Sequence, residues 1–219
     1  MTESLADWTA GYQCTEEEND RIFDHFAAQT DTLDFLKSHR DFVEENEWGM
    51  GFRAFHYMWL LLLEDCHQRF GHVRSLEIGV YMGQVISLWG LIAKNRGLDV
   101  EISAISPFSG NQPRLRFIRS ICKRFSPRYQ ARKEAGSLYY DDDFLGRSRF
   151  IYEKFAGDFS SVKIYKGLST DRNIHRKIAE NRFHIIYVDC DHSFAAARAD
   201  IAFYDTLTEP RRDLVMEYA

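Results

Sequence analysis

The chain lacks the features that mark disulfide-bonded, zinc-binding or membrane-spanning proteins. It has only four cysteines in 219 residues, and no two of them form a Cys-x-x-Cys pair. This scarcity argues against a disulfide framework or a zinc knuckle and favours a reducing compartment, so we expect a cytoplasmic protein. The longest apolar run, residues 58–63, is far too short to span a bilayer. The N-terminus has Glu3 and Asp7 early and no apolar core, so we expect no signal peptide.

An excess of positive charge is also missing. Lys and Arg number 28 against 33 Asp and Glu, which gives a formal net charge of −5. This balance argues against general nucleic-acid binding, although the acid-free basic run at residues 114–133 keeps a phosphate, acidic-sugar or RNA contact open as an alternative to a solvated helix face. The contents of 45% hydrophobic and 28% charged residues predict a packed globular domain of ordinary size.

The most informative segment is a glycine-containing turn. Residues 73–78 predict a short apolar strand and residues 84–95 predict a helix. Glu77, Gly79 and Gly83 are spaced as Glu-x-Gly-x-x-x-Gly between the two. Glycine allows a backbone to approach a ligand closely, and the free N–H groups of a helix start bind polar or anionic groups. Because the spacing differs from the dinucleotide fingerprint, a nicotinamide-dependent oxidoreductase is disfavoured.

A second segment combines a buried strand with polar residues at its end. Residues 185–188 are all apolar, which is typical of a parallel strand covered on both faces. They are followed by Asp189, Asp191 and His192. Open α/β sheets bind ligands at the carboxyl ends of their strands, so these side chains are candidates for a functional site.

The remaining chain alternates between strands and helices. Residues 15–45 and 52–70 predict N-terminal helices, the first with a capping box formed by Thr15 and Glu18, and Gly71 predicts the end of the second. Further strands are predicted at 100–105, 162–166, 184–189 and 213–217, and further helices at 113–125, 149–157, 171–181 and 194–207. This alternation predicts an α/β fold with a parallel, doubly wound sheet. We expect residues 1–72 to form a helical cap and residues 73–219 to form the sheet domain.

Together, residues 76–87 and 185–194 resemble class I S-adenosylmethionine-dependent methyltransferases. They are most similar to the small-molecule O-methyltransferases with an Asp-x-Asp-His motif, in the neighbourhood of macrocin O-methyltransferases and cephalosporin-hydroxylase-like proteins. The resemblance covers residues 73–219 and implies a Rossmann-like fold. Because these relatives continue with another helix and two strands, we expect the C-terminal strands to be missing here or supplied by a partner. The implied activity is methyl transfer to a hydroxyl of a small molecule, such as a sugar or glycosylated metabolite.

The resemblance also implies a cofactor site. Its residues would be Glu77, Gly79, Tyr81, Gly83, Ser106, Gly167, Ser169 and Asp189. Glu77 and the two glycines of the turn would hold the amino-acid end of S-adenosylmethionine, and Gly167 and Ser169 would line the adenine pocket. Ser106 stands where relatives have an acid for the ribose hydroxyls, so weaker binding is expected. Ser87, on the following helix, is interpreted as backing the turn.

The implied catalytic residues are Asp189 and His192. In the relatives, the first Asp of the motif binds a divalent metal and the His is the general base, so Asp189 and Glu217 would hold Mg²⁺ here. Relatives place two adjacent acids where this chain has Glu217 and Tyr218, so one metal ligand is missing. As an alternative, Asp191 and His192 cap the next helix.

The expected partner is a small-molecule acceptor, with no membrane association. Nucleic acid is disfavoured, and a homo-oligomer is left open. A different class of function also stays open, in which the chain is a degenerate, non-catalytic methyltransferase-like domain that acts as a binding module. The neutral Ser106 favours that alternative.

Overall fold

A computed structural model of the chain describes residues 3–108, 124, 143–189 and 194–216. Four described helices precede the first strand: α1 (Leu5–Thr9), α2 (Glu16–Thr32), α3 (Asp34–Asn46) and α4 (Ala54–Phe70). Strands and helices then alternate: β1 (His72–Ile78), α5 (Gln84–Arg96), β2 (Asp99–Ser106), α6 (Phe144–Phe155), β3 (Lys163–Lys166), α7 (Arg172–Ile178), β4 (Phe183–Val188), α8 (Phe194–Tyr204) and β5 (Thr208–Met216). The predicted helix at 113–125 lies outside the described residues except for Arg124. No helix among the described residues is long and apolar enough to cross a membrane.

The strands form one five-stranded parallel sheet in the order β3-β2-β1-β4-β5. The chain moves outward from β1 through β2 to β3 and then crosses back to place β4 on the other side of β1. The direction of winding therefore reverses between β1 and β4, where Glu77 pairs with Tyr187 and Ile78 with Val188. This arrangement confirms the predicted doubly wound sheet, and it opens a crevice at the carboxyl ends of these two strands.

The prediction of one continuous helix over residues 15–45 is wrong. Leu33 has an extended backbone (φ −101°, ψ 102°) and separates α2 from α3. Close to this break, the hydroxyl of Thr30 donates a 2.7 Å hydrogen bond to the carbonyl of Arg53, which fixes the end of α2 against the start of α4. The bend therefore depends on tertiary contacts and has no local breaker such as proline or glycine.

Several predicted boundaries also differ from the structure. Thr15 caps α2 by accepting a 3.2 Å hydrogen bond from the Glu18 N–H, but the Glu18 side chain accepts from the Gln13 N–H, so only half of the predicted capping box forms. The helix predicted at 149–157 begins five residues earlier, since α6 starts at Phe144. The fifth strand begins at residue 208, five residues before its predicted start. Gly71, with φ 75°, ends α4 as predicted.

The main hydrophobic core lies between one face of the sheet and the helices that cover it. Trp59 of α4 meets Trp89 of α5 at 5.0 Å between ring centroids and Tyr187 of β4 at 5.2 Å. The same core extends into α2 and α3 through Phe26 and Leu36. A second cluster covers the other face, formed mainly by Leu76, Ile78, Ile174, Ile178, Ile186 and Val188. The cap and the sheet thus share one core, and the proposed division after residue 72 stays a prediction.

Candidate functional site

Four of the predicted site residues lie at the carboxyl edge of the sheet. Glu77 is the penultimate residue of β1, and Ser106 is the last residue of β2. Gly167 directly follows β3, and Asp189 directly follows β4. Because these strands are parallel neighbours, their carboxyl ends form one continuous edge.

Backbone hydrogen bonds beyond the strands hold this edge together. Each bond runs from a backbone N–H to a backbone carbonyl: Gly79 donates to Ile105 at 3.0 Å, Gly167 to Ser106 at 3.1 Å, and Asp189 to Ile78 at 2.8 Å. The first residue of each turn is therefore fixed to the neighbouring strand, so the positions of the turns relative to one another are set by the sheet.

The glycine turn has the backbone conformations that require glycine. Gly79 and Gly83 have φ values of 103° and 89°, in a region that residues with a Cβ rarely adopt. Gly83 is the N-cap of α5 and provides no side-chain cap. A Cβ on Gly83 would stand 2.7 Å from the Cα of Ser148 in α6. A residue with a side chain at Gly83 would therefore have a strained backbone conformation and would also clash with α6.

Glu77 provides the missing cap from the adjacent strand. Its carboxylate accepts a hydrogen bond from the backbone N–H of Ile86 in the first turn of α5. The side chain is only 3% exposed, and its Oε2 atom has no hydrogen-bond partner within the described part of the chain. Burial, together with repulsion from Asp189, raises the pKa of Glu77 well above its usual value. A cationic group placed beside this oxygen would stabilise the ionised form.

Ser106 has a structural role that was not predicted. Its hydroxyl donates a 2.9 Å hydrogen bond to the carbonyl of Val80 in the glycine turn. Its oxygen also accepts from the N–H of Phe108 at 3.3 Å. The single hydroxyl hydrogen is therefore already used, and Ser106 could offer a cofactor ribose only its remaining acceptor capacity. Its predicted role in ribose binding stays a prediction.

Ser169 also makes internal contacts. Its hydroxyl donates to Asp200 at 3.0 Å, and its carbonyl accepts from the Tyr204 hydroxyl at 2.8 Å and from His175 Nε2 at 2.7 Å. These bonds fix the turn after β3 to α7 and α8. Gly167 packs closely on the same turn, since a Cβ there would stand 2.9 Å from Ile174. Whether the pair lines an adenine pocket stays a prediction.

The start of α6 covers the glycine turn from the side, a feature that the sequence did not reveal. Tyr81 meets the ring of Phe144 at 5.4 Å between centroids. Arg147 donates to the Met82 sulfur at 3.4 Å, and its guanidinium lies 5.5 Å from the ring centre of Trp48 in the α3–α4 connection. The turn is therefore enclosed by α6 and by the N-terminal helices, which no local sequence signal indicates.

The predicted metal site and general base are described only in part. Asp189 is half-buried at the end of β4, whereas Asp191, His192 and Glu217 lie outside the described residues. Within the ranges that the structure describes, no group of three or more His, Cys, Asp or Glu side chains could hold a metal ion. The expected Mg²⁺ therefore gains no support, and the catalytic roles of Asp189 and His192 stay predictions.

Comparisons with known proteins support the fold. No protein-family model and no curated protein matches the sequence. Among solved structures, the chain is similar to the SAH-bound Podospora anserina methyltransferase PaMTH1, with 16% identity, a TM-score of 0.51, and coverage of 94% of this chain and 71% of that one. A second match is the calicheamicin methyltransferase CalS11, with 12% identity, a TM-score of 0.47, and coverage of 99% and 84%. The first match confirms a Rossmann-like α/β fold, and the second, at its lower TM-score, carries no argument.

Proposed function

We propose that the chain is an S-adenosylmethionine-dependent methyltransferase that acts on a hydroxyl of a small molecule. One observation carries this proposal: the buried carboxyl of Glu77 caps α5 beneath a glycine turn and keeps its Oε2 atom unpartnered within the described residues. This oxygen lies at the point where the winding of the sheet reverses, the position at which such folds bind ligands. The similarity of fold to an SAH-bound methyltransferase supports the proposal.

The residues at the turn suit the amino-acid end of this cofactor. The ammonium group of the cofactor would pair with Glu77. Its carboxylate would be held by those N–H groups at the start of α5 that Glu77 does not use, since the N-cap residue Gly83 has no side chain to cover them. When bound, S-adenosylmethionine supplies an electrophilic methyl group. Asp189, which directly follows the neighbouring strand β4, would help to orient the acceptor hydroxyl, and His192 would take the proton of that hydroxyl.

A second candidate function is a non-catalytic module that binds a ligand or a protein partner. The geometry of Ser106 favours it, because the hydroxyl that replaces the usual ribose-binding acid already donates to Val80. The two functions differ in turnover, since both allow cofactor binding but only the methyltransferase transfers a methyl group.

Calorimetric titration with S-adenosylmethionine and S-adenosylhomocysteine tests the proposal. We expect micromolar binding by the wild-type chain and a loss of at least about tenfold in Glu77→Gln, because a charge-assisted hydrogen bond is removed. Gly97→Ala, at the far end of α5, serves as the control and should bind normally. Absence of binding by the folded wild-type chain would exclude the methyltransferase. Binding without methyl transfer across a panel of sugar, glycoside and phenol acceptors would favour the binding module.

A further inference from the structure

Three polar side chains form a hydrogen-bonded chain inside the apolar core. His39 of α3, His56 of α4 and Ser87 of α5 are each 0% exposed. The Nδ1 atom of His39 lies 2.9 Å from His56 Nε2, and its Nε2 atom lies 2.9 Å from Ser87 Oγ. The chain therefore links three helices by way of one imidazole, that of His39.

The direction of each hydrogen bond follows from the final partner. Ser87 donates its only hydroxyl hydrogen to the carbonyl of Gln84 at 3.0 Å, so its oxygen must accept from His39 Nε2–H. Burial lowers the pKa of His39 to about 3 and that of His56 well below its usual value, so both rings are neutral at neutral pH. The Nδ1 atom of neutral His39 must then accept from His56 Nε2–H. The donors of this hydrogen-bonded chain therefore all point the same way, from His56 of α4 through His39 of α3 to Ser87 of α5.

This chain ends on the first turn of α5, next to the glycine turn. Ser87 donates its backbone N–H to the carbonyl of Gly83 at 3.0 Å. The connection after α3 touches the same turn, because a Cβ on Gly49 would stand 1.6 Å from the Oε1 atom of Gln84. Arg40, which follows His39, donates to the carbonyl of Gly51 at 2.8 Å and so holds that connection in place. The N-terminal helices therefore hold the start of α5 at two adjacent points.

A merely space-filling role would not require these residues. Apolar side chains of similar volume pack at this depth without the desolvation penalty of three buried polar groups. The penalty is not even fully offset here, since His56 Nδ1 has no partner within the described part of the chain. What the polar residues add, and apolar ones lack, is a fixed direction and distance between helices.

We propose that His39 is a positioning residue for the glycine turn, which holds the start of α5 at the height and rotation that ligand binding requires. The part of this inference that concerns the cofactor rests on the proposed function. The part that concerns the turn itself is independent of the proposed function, because it concerns how rigidly residues 79–87 are held in the ligand-free protein.

The test compares an apolar replacement with a polar one. His39→Leu combined with His56→Leu removes both imidazoles and leaves no buried ring nitrogen without a partner, so we expect near wild-type global stability. His39→Gln keeps one donor and one acceptor. Hydrogen exchange of the two hydrogen-bonded amides in the first turn of α5, those of Ile86 and Ser87, is measured in each ligand-free protein, with the amides of β1 and β4 as the internal reference for global opening.

We expect exchange of the Ile86 and Ser87 amides to accelerate about five- to tenfold in the double variant and to return to the wild-type rate in His39→Gln. Ser87→Ala gives a second measure that keeps both imidazoles, with Ser75→Ala, in the middle of β1, as the matched buried-serine control. Ser87→Ala should accelerate exchange of the same amides, and Ser75→Ala should not. Unchanged exchange in the double variant and in Ser87→Ala would overturn the proposal, as would a His39→Gln variant that behaves like the double variant.

Affinity for S-adenosylhomocysteine separates this inference from the proposed function. If the wild-type chain binds it, we expect an affinity loss of about five- to tenfold in the double variant, with recovery in His39→Gln. If the wild-type chain does not bind it, the proposed function fails, and the exchange experiment alone still decides whether His39 positions the turn.

Discussion

The Cα of Ser148 lies 2.7 Å from the position that a Cβ on Gly83 would occupy. Helix α6 is therefore packed directly against the last residue of the turn that leads into α5. Since the contact atom belongs to the backbone, no change of side-chain rotamer could relieve a clash. This relationship explains why a turn at the centre of the candidate site depends on a segment more than sixty residues further along the chain.

Gly83→Ala is expected to destabilise the fold more than Gly97→Ala. Both residues have positive φ at the two ends of α5, which costs about 1–2 kcal/mol for alanine. Only Gly83 has a close neighbour, whereas Gly97 has nothing within 4 Å, so overpacking adds about 1–3 kcal/mol at Gly83 alone. Urea denaturation of the two variants measures the difference. Equal losses would mean that α6 moves aside without penalty.

Glu77→Gln is expected to change how stability depends on pH. The folded-state pKa of Glu77 is raised, so the folded wild-type chain binds a proton that the unfolded chain releases above its ordinary pKa of 4.5. Wild-type stability should therefore fall, relative to the variant, as pH rises from 4.5 to the raised pKa, by up to about 1.4 kcal/mol per pH unit. Denaturation midpoints measured between pH 4 and 8 test this. Parallel profiles would show that the pKa of Glu77 is not raised.

Asp189→Asn provides a coupled test at the same site. Repulsion from Asp189 is one cause of the raised pKa of Glu77, so its removal should lower that pKa. The pH range over which stability declines should then end at a lower pH than in the wild-type chain. The measurement is the same pH series of denaturation midpoints. An unchanged range would show that burial alone sets the pKa of Glu77.

The two buried histidines should make the fold sensitive to acid. Burial lowers both pKa values in the folded state, that of His39 to about 3, so the two histidines contribute stability that is complete above their ordinary pKa of 6.5 and is lost as pH falls below it. The loss should reach at most about 2.7 kcal/mol per pH unit, because two protons are involved. The variant with leucine at both positions should lose this dependence. Thermal melts from pH 4 to 7 compare the two proteins, and identical slopes would contradict the expectation.

Ser106→Asp should weaken the fold and leave cofactor affinity no higher. An ionised carboxylate has no hydrogen to donate to Val80, and it would lie buried in a position that is now only 4% exposed. Ser106→Ala loses the same hydrogen bond without adding charge and should cost about 1 kcal/mol, less than the aspartate. Denaturation and calorimetry on both variants give the comparison. An aspartate variant of wild-type stability with tighter binding would instead support a ribose-binding position.

The sequence predicted the sheet well because its strands carry strong local signals. The fully apolar residues 185–188 and the glycine turn after residue 78 identify two parallel strands and the edge at which they end. By contrast, the break at Leu33 was missed because it depends on a bond between Thr30 and Arg53, 23 residues apart. The early start of β5 was missed because its first residues carry no apolar pattern.

The surroundings of the candidate site could not be predicted for the same reason. His39 contacts Ser87 across 48 residues, and Arg147 contacts Met82 across 65. No spacing within a motif encodes such pairs, since they exist only after the helices have packed. A histidine in an amphipathic helix fits either the buried or the exposed face. Nothing in the sequence therefore indicated that His39 and His56 are buried and hydrogen-bonded to each other.

The adjacency of β1 and β4 also sets the order in which the protein can assemble during synthesis. Arg74 donates its backbone N–H to the ring of His184, which follows 110 residues later. At a translation rate of about 5–20 residues per second, β1 waits on the order of 5–20 s for this neighbour. During that interval β1 can pair with β2 but exposes its other side. The crevice therefore cannot form before β4 has been synthesised, and until then the nascent chain exposes one unpaired side of β1.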